Sequence, residues 1–600
     1  MKDTRRYSFT KLPVQEDLSK YAIPYRPERF TAEEKRYLTP FFTNLDKPIF
    51  VLKNLPEEVA GALSSRYSRA TKTMRRMFLD EYIGPIIKPE SQKNWDVMSL
   101  HEKREAQETK KAFLEYIDFF HKKGGFDKVV NVQRGRKFFD KWLADYGDDS
   151  IAEMGGIHLC IEGLSNIATR ELVDKRVGLS IIEKSTRYVQ FWEKRPDGEY
   201  QYVVPGEIRG TKYEKKYKKV VDSLFQTYAL IAESYLEYVK KKYPKGEDET
   251  DSSFLRSRSA KRFDDIRDLL PFATQTYFAM YGNGRSFEDL INRLIDHEVG
   301  EVRYWGKEMA SELKKIVPSF VTRPETPRGA EVQIYRSNIE KLRGLMGEKI
   351  IRKTKAGQKS RRWVNLVTHT SHPDVEVLAA YLFPAVEHVS MSEMKRQLKL
   401  LPKKKRGELL RQILKERAFG RHEAERFRDR FKKVPRAFEN ASFLYEVWGR
   451  AGDYRDLHRH RQTSQERQRF TVVWGFDLEK EVLESKFLPQ IKKVYAQAEN
   501  LFKALQKNRP DIAQYVVPFG YLQHWYMNLT AREIYWMVEL RTGPQGREHY
   551  RQICQDIARL AKKVSPLLFQ LLLVDTGSYA LSRRESEKKI EKKKKALGGI

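Results

Sequence analysis

The chain has 600 residues, a formal charge of +32, and 40% apolar and 12% aromatic side chains. That length allows roughly two to four domains and a sizeable core, and the apolar content argues against a disordered chain. The basic excess favours anionic partners such as nucleotides, nucleic acid or acidic lipid. Two cysteines, Cys160 and Cys554, supply neither a disulfide framework nor a zinc cluster, and their apolar neighbours mark them as buried thiols. The start, MKDTRRYSFT, lacks the apolar core of a signal peptide, and no stretch approaches a membrane span. A cytoplasmic protein without a membrane partner is therefore expected.

Residues 1–45 read as an N-terminal extension. KPIFVLKNL (47–55) is rich in β-formers. SIAEMGGIHLCIEGLSNIATRELV, from Ser150, has apolar residues at 151, 154, 157, 161, 164, 167 and 172, which predicts a helix. Ser150 with Glu153 has the form of a capping box at its start. TRYVQFW (186–192) predicts a strand, and Ser286 with Asp289 a helix start. Residues 323–360 begin Pro-rich and end basic, so they predict a linker with one short helix. RWVNLVTHT (362–370) and RFTVVWGF (469–476) predict strands, and Thr530 with Glu533 a further helix start. The end of the chain, 576–600, reads as a frayed basic tail.

These elements recur. GRSFEDLINRLIDHEVGEVRYWGKEMASELKKIVPSF from Gly284 parallels AREIYWMVELRTGPQGREHYRQICQDIARLAKKVSPLLF from Ala531. Arg285 and Arg532 are 247 residues apart, as are Pro271 and Pro518, and Lys315 and Lys563 are 248 apart. CIEGLSNIATRELVDKR (160–176) likewise parallels YEVWGRAGDYRDLHRHR (445–461), matching Arg170 with Arg455, Glu171 with Asp456 and Leu172 with Leu457. Their fixed order makes the chain a tandem duplication, repeat 1 at 46–322 and repeat 2 at 361–575. Each repeat reads as a helical body with a small, mostly antiparallel sheet, an α+β unit.

The stretch RDLHRHRQTSQERQRF (455–470) packs five arginines and two histidines into sixteen positions. Guanidinium forks bind phosphate in pairs of hydrogen bonds and stack on flat rings. Arg459-His460-Arg461, behind an acid-Leu-x triplet, resembles the Arg-His-Arg signature of flavin-dependent thymidylate synthases. GLSIIEKSTRYVQF resembles the segment that follows that signature, with its Glu-x-Ser-x-Arg-Tyr. IRDLLP resembles the family's Ala-Arg-x-x-Leu-Pro, TAREIYWMVELR its Asn-Ala-Arg with a later Leu-Arg, and YGDDSIAEM its Gly-His-x-Ser-x-x-Glu-His.

The resemblance implies conversion of dUMP to dTMP with FAD, methylenetetrahydrofolate and NADPH, and no cysteine nucleophile. It gives substrate binding to Glu183, Ser185, Thr186, Arg187 and Arg267. Arg459 bridges substrate and flavin, His460 and Arg461 hold flavin, and Asn283 and Arg285 hold its nucleotide end. Arg541 faces the pyrimidine as N3 ionises, the catalytic role. The repeats depart from the pattern in different places. Repeat 1 has Asp174-Lys175-Arg176 in place of Arg-His-Arg and Glu153-Met154 in place of Glu-His. Repeat 2 lacks the serine loop, has Gln514 in place of the arginine kept as Arg267, and ends the Glu-His position on Asn440. A single composite site drawn from both repeats, and a homodimer, are the expectations. Glu171 and Asp456 replace a family glutamine, and an acceptor-only carboxylate suits a ring edge with donors, such as cytosine's. A C5-methylase of another pyrimidine nucleotide and a non-catalytic nucleotide- or RNA-binding relative are the alternatives.

Overall fold

The computed structural model describes residues 16–125, 132–139, 141, 149–175, 177–195, 197–247, 249–351, 363–418, 432–581, 584, 587 and 588. The chain forms two compact units. The first comprises Met1–Asp222, Phe272–Lys355 and Leu505–Val516, the second Ser223–Pro271, Ala356–Ala504 and Val517–Ile600. Residues 223–271, from the first repeat's sequence, thus fold with the second unit.

Each unit carries one four-stranded antiparallel sheet. The first holds β1 (Ile49–Leu52), β2 (Gly156–Ser165), β3 (Leu179–Glu183) and β4 (Gln275–Asn283), in the order β1-β2-β4-β3. The second holds β5 (Val364–His369), β6 (Ser442–Gly449), β7 (Ser464–Arg467) and β8 (Gln523–Thr530), in the order β5-β6-β8-β7. The identical order is the structural mark of the duplication. Each unit is a helical body on a small sheet, an α+β arrangement as expected, and the strands opening each repeat lie where the β-formers placed them.

Both sheets bury a face. In the second unit Phe443, Tyr445 and Val447 of β6 and Trp525, Met527 and Leu529 of β8 pack on the helices Ala531–Arg541 and Glu548–Val564. Cys554 belongs to that core, where burial pushes its thiol up to about 12. In the first unit Phe50, Leu52, Cys160 and Ala279 pack under Leu38, Phe42, Leu63 and Phe78, so the N-terminal extension is part of a core.

The helix expected from Ser150 is mostly strand. Residues 149–154 form a 3-10 turn, β2 takes 156–165, and only Asn166–Val173 is helical. β2 lies inside its sheet with both faces covered: Ile157, Leu159 and Ile161 are buried on one, Cys160 and Glu162 on the other. A strand buried on both faces loses its two-residue alternation, so its apolar spacing imitated a helix. Ser165, not Ser150, caps the helix, its hydroxyl accepting the Ala168 N–H at 3.0 Å.

Two other expected strands are turns. At 186–192 the Ser185 hydroxyl accepts the Arg187 N–H at 3.2 Å, and the Ser185 carbonyl accepts those of Tyr188 and Val189. At 469–476 the Gly475 N–H donates to the Val472 carbonyl, and Gly475 sits at φ 74°. The actual strands, β3 and β7, lie just upstream of each. Helix Gly284–Ile295 is capped by Asn283, which accepts the Ser286 N–H at 2.9 Å, whereas Thr530 caps its helix as expected. The linker holds a 25-residue helix, Pro327–Ile351, rather than a short one. Its proline lies in the first turn, where the missing N–H costs nothing. The basic end of the linker, 352–362, and most of the tail lie outside the described residues. Arg584 and Glu587 of the tail pair with Glu249 at 3.2 Å and Arg256 at 2.8 Å. Among the described residues no helix is long and apolar enough to cross a membrane.

β2 slips register between Glu162 and Leu164, where Gly163 holds φ 89°. A Cβ there would meet nothing closer than 3.7 Å. The glycine is therefore required by backbone conformation and not by space. Gly163→Ala should destabilise the chain by roughly 1–2 kcal/mol, the cost of a left-handed alanine, read as a lowered denaturant midpoint. An unchanged midpoint would show that the bulge relaxes.

Candidate functional site

In the second unit the helix Ala531–Arg541 begins at Thr530, whose hydroxyl accepts the Glu533 N–H at 3.2 Å. Side chains three, four and seven positions apart share a helix face. Arg532, Trp536 and Glu539 accordingly line one cavity, of about 400 Å³, together with Glu533, Tyr535 and Arg541. The opposite wall is the turn Arg459-His460-Arg461, which follows the short helix Ala451–Leu457. Backbone and side chains fix that turn. The His460 N–H donates to Leu457 at 3.3 Å, Thr463 donates to the His460 carbonyl at 2.9 Å, and the Gln465 amide donates to the His458 carbonyl at 3.3 Å. Arg417 and Lys433 complete the lining.

The cavity is strongly basic. Its two carboxylates are already engaged: Arg417 donates to both oxygens of Glu539, at 3.1 and 2.7 Å, and His460 Nδ1 lies 2.8 Å from Glu533 Oε1. Arg541 Nε donates to His460 Nε2 at 3.2 Å. Burial, aided by the Arg541 charge, depresses the His460 pKa against the pull of Glu533 and Asp456. Aromatic rings face the cations, with Arg417 5.1 Å from the Tyr535 centroid and Lys433 4.9 Å from that of Trp536. Such a lining suits a flat, polyanionic ligand.

The start of the helix Ala451–Leu457 carries a buried ionic network in the same unit. Arg450 reaches Asp268 at 3.2 Å and Glu479 at 3.0 Å, and Arg547 reaches them at 2.8 and 3.1 Å. Asp453 accepts the Arg450 backbone N–H at 2.8 Å and pairs with His549 Nδ1 at 2.6 Å. Burial would raise the Asp453 pKa, but His549, Arg450 and Arg547 together hold it well below the carboxylate range. Arg267 is buried beside this network, 3.3 Å from Asp264. A Cβ on Gly452 would stand 2.8 Å from Arg547 Nη1 and 3.0 Å from Arg267 Nη2, so the helix start approaches both guanidiniums closely. The second unit therefore brings Arg267 of the first repeat's sequence together with residues of the second. Nearby, Asp265, Glu479 and Glu481 converge around Lys261, whose ammonium lies 3.0 Å from Asp265 and 2.9 Å from Glu481.

The first unit holds the remaining predicted residues. Glu183 is buried at the end of β3 in an ion pair with Arg170. Ser185, buried Thr186 and Arg187 form the turn after it, and the Ser185 N–H donates to Ser68 at 2.8 Å. Asn283 caps the helix that carries Arg285, and Arg285 pairs with Glu153 at 2.6 Å on the surface. Arg532 pairs with Glu439 at 2.5 Å in the second unit, the same pairing one repeat later. Where repeat 2 has His460, repeat 1 has Lys175, which is tied to Asp289, and Arg336 of the linker helix takes the other Asp289 oxygen at 2.6 Å. Glu171 pairs with Arg293 at 3.4 Å and His297 at 3.3 Å. Arg176 lies outside the described residues.

Of the residues that the sequence motifs single out, the cavity brings together Arg459, His460, Arg461 and Arg541, along with Arg532 of the Ala-Arg motif. Sequence reading missed Arg417, Lys433, Glu539 and the aromatic pair Tyr535 and Trp536. A signal existed for the helix residues, which repeat at helical spacing from Arg532. Arg417 and Lys433 come from distant stretches that carry none.

What recurs in both halves, the sheet order and an arginine at a helix start paired to an upstream acid, defines a duplicated α+β protein whose second copy keeps a cavity suited to anions. The chain belongs to the Thymidylate synthase complementing protein family, which it matches over residues 91–319 and 365–567. This is the flavin-dependent thymidylate synthase family, present as a tandem duplication with divergent motifs. A UPF0159 protein of Chlamydia pneumoniae is 32% identical over 571 residues, 94% of this chain and 99% of the relative. A UPF0159 protein of Thermoplasma acidophilum is 28% identical over 500 residues, 78% of this chain and 94% of its own length. A Geobacter sulfurreducens protein described as a flavin-dependent thymidylate synthase is 28% identical over 184 residues, 30% of this chain and 66% of the relative.

The network yields a stability prediction. Removing one partner of a buried ionic cluster strands the others, at about 3–5 kcal/mol, so Asp453→Ala should lower stability by about that amount in denaturant titrations at neutral pH. Because the folded carboxyl is depressed, its contribution is complete above the ordinary value of 3.8 and is lost as pH falls through the folded pKa. The difference between wild type and variant should therefore shrink in acid. A constant difference down to strong acid would contradict the ionic assignment.

Proposed function

We propose that the chain is an FAD-dependent thymidylate synthase, converting dUMP to dTMP with methylenetetrahydrofolate as one-carbon donor and NADPH as reductant. The observation that carries this reading is the cavity of the second unit. Arg459, His460, Arg461 and Arg541 of the family motifs meet there with Arg417, Lys433, Tyr535 and Trp536. The donor set fits a flavin dinucleotide: permanent cations for phosphates, and aromatic and guanidinium planes for a ring system. When bound, the flavin supplies the redox chemistry that the side chains lack.

The residues supply binding and electrostatics. Arg459 and Arg461 hold anionic groups at the cavity mouth, with His460 between them. Arg541 directs guanidinium N–H groups at the pyrimidine and stabilises charge as N3 ionises. Ser185, Thr186, Arg187 and Arg267 serve the substrate phosphate, Glu183 orients ligands through hydrogen bonds, and Asn283 and Arg285 serve the nucleotide end of the flavin. A homodimer in the cytoplasm completes the reading.

A second reading, methylation of another pyrimidine nucleotide, is favoured by Asp456. This acid acts electrostatically on His460 in the second unit, whereas Glu171 in the first is engaged by Arg293 and His297. Purified protein should be yellow, and NADPH should bleach it when dUMP is present. Colourless protein that binds RNA with steep, sequence-independent salt sensitivity would be a nucleic-acid-binding relative instead. Faster turnover of dCMP or UMP than of dUMP would move the assignment to the second reading. Arg459→Ala should lose flavin or substrate, while Lys175→Ala, which breaks the Asp289 pair, should leave both bound. Equal losses would refute the division of labour between the repeats.

A further inference from the structure

The cavity holds a three-member relay. Glu533 and Arg541 stand at the first and last turns of one helix, eight residues apart and near one face. His460, from the opposite wall, spans them: Nδ1 is 2.8 Å from Glu533 Oε1, and Nε2 accepts from Arg541 Nε at 3.2 Å. A guanidinium can only donate. Nε2 must therefore present its lone pair, the ring proton resides on Nδ1, and that proton is donated to Glu533. All three are held from outside the cavity as well. The Glu533 N–H is fixed to Thr530, the His460 carbonyl to Thr463, and the Arg541 guanidinium lies 5.9 Å from the Tyr550 ring.

We infer that Glu533 is a positioning residue, selecting the His460 tautomer that anchors Arg541 by its Nε and so directs the two terminal NH2 groups of Arg541 into the cavity. The inference rests on the proposed reading for what those groups meet, a pyrimidine ring that gains charge during reaction. A flipped or protonated imidazole would offer Arg541 a donor in place of an acceptor and turn the guanidinium away. The charged groups acting on the ring are Glu533, Arg541 and Asp456, and its burial sustains the neutral form. Glu533 lines the cavity with its carboxylate turned to His460. It acts through His460, as an outer partner fixes the tautomer of a liganding histidine.

The test uses the full chain with selectively ¹⁵N-labelled histidine, and Glu533→Ala and Glu533→Gln variants. Without any ligand, wild-type His460 should give the signature of the Nδ1–H tautomer at about pH 7.5, in line with a pKa held below the ordinary 6.5. Glu533→Gln keeps an acceptor and should retain it, whereas Glu533→Ala should lose it. In the flavin-loaded protein Glu533→Ala should lower kcat and kcat/KM together by about 10–100-fold, as loss of a transition-state contact does. Flavin affinity should change by less than threefold, and Glu533→Gln should recover most of the turnover. An Nε2–H signature in the wild type overturns the inference, as does a Glu533→Ala variant that loses flavin in proportion to activity or loses neither. Should the wild type take up no flavin, the functional reading fails, and the tautomer measurement still decides the relay.

Discussion

A guanidinium that is buried must find acceptors, because it cannot shed its charge. In the second unit this constraint organises the start of the helix that leads to the cavity's Arg459–Arg461 turn. Arg450 and Arg547 are almost fully enclosed, and Asp268, Glu479 and Asp453 gather around them. Taking these ions out of water costs several kcal/mol each, on the order of what their mutual attraction returns. The arrangement is therefore better understood as a specification of geometry than as a source of stability. It clamps the start of helix Ala451–Leu457 through the Arg450 N–H and Asp453, and a helix start so fixed fixes its end. The Arg459–Arg461 turn leaves from that end.

The same position in the first unit is solved by different chemistry. Ser165 stands where the offset between Arg170 and Arg455 places Arg450, and it caps the corresponding helix with a hydroxyl. Its partner is Glu301, which accepts from the Ser165 N–H at 2.8 Å, the Ser165 hydroxyl at 2.7 Å, Tyr515 at 2.6 Å and Trp305 at 3.3 Å. Burial raises the Glu301 pKa against those four donors. One repeat thus seats its helix on an acid ringed by neutral donors, the other on arginines ringed by acids. Sheet order survived the divergence while the polar centres were rebuilt, because strand pairing depends on backbone groups and a polar centre only on matched side chains.

That distinction also explains what could be read in advance. The duplication, the opening strands β1 and β5, the Thr530 cap and the Arg-His-Arg turn each have a signal within a few neighbouring residues. β2 does not, since coverage of its faces is decided by distant segments such as those carrying Leu38 and Leu63. The run at 186–192 has strand-forming residues, yet the Ser185 hydroxyl and carbonyl capture its N–H groups locally. The helix Pro327–Ile351 was hidden by reading its prolines as breakers when one of them opens it. At the site, the arginines of the motifs were legible, but Arg417 and Lys433 reach the cavity only through the tertiary fold.

The two Arg-His-Arg positions differ in how their charges are spent. In repeat 1 the position is Asp-Lys-Arg, and Lys175 and Glu171 are absorbed by Asp289, Arg293 and His297 while Arg336 of the linker helix closes on Asp289. In repeat 2 the cavity's carboxylates are engaged within the lining itself, Glu539 by Arg417 and Glu533 by His460, and Arg459 and Arg461 form part of its solvent-facing edge. Among the described residues the lining carries Arg417, Lys433, Arg459, Arg461, Arg532 and Arg541 against the carboxylates Glu533 and Glu539, and such a cluster of cations holds a positive potential that low-dielectric walls concentrate. Such a potential is unfavourable in the empty protein, because like charges repel. It becomes favourable only when an anion enters, which is the kind of ligand the lining of the second unit's cavity suits.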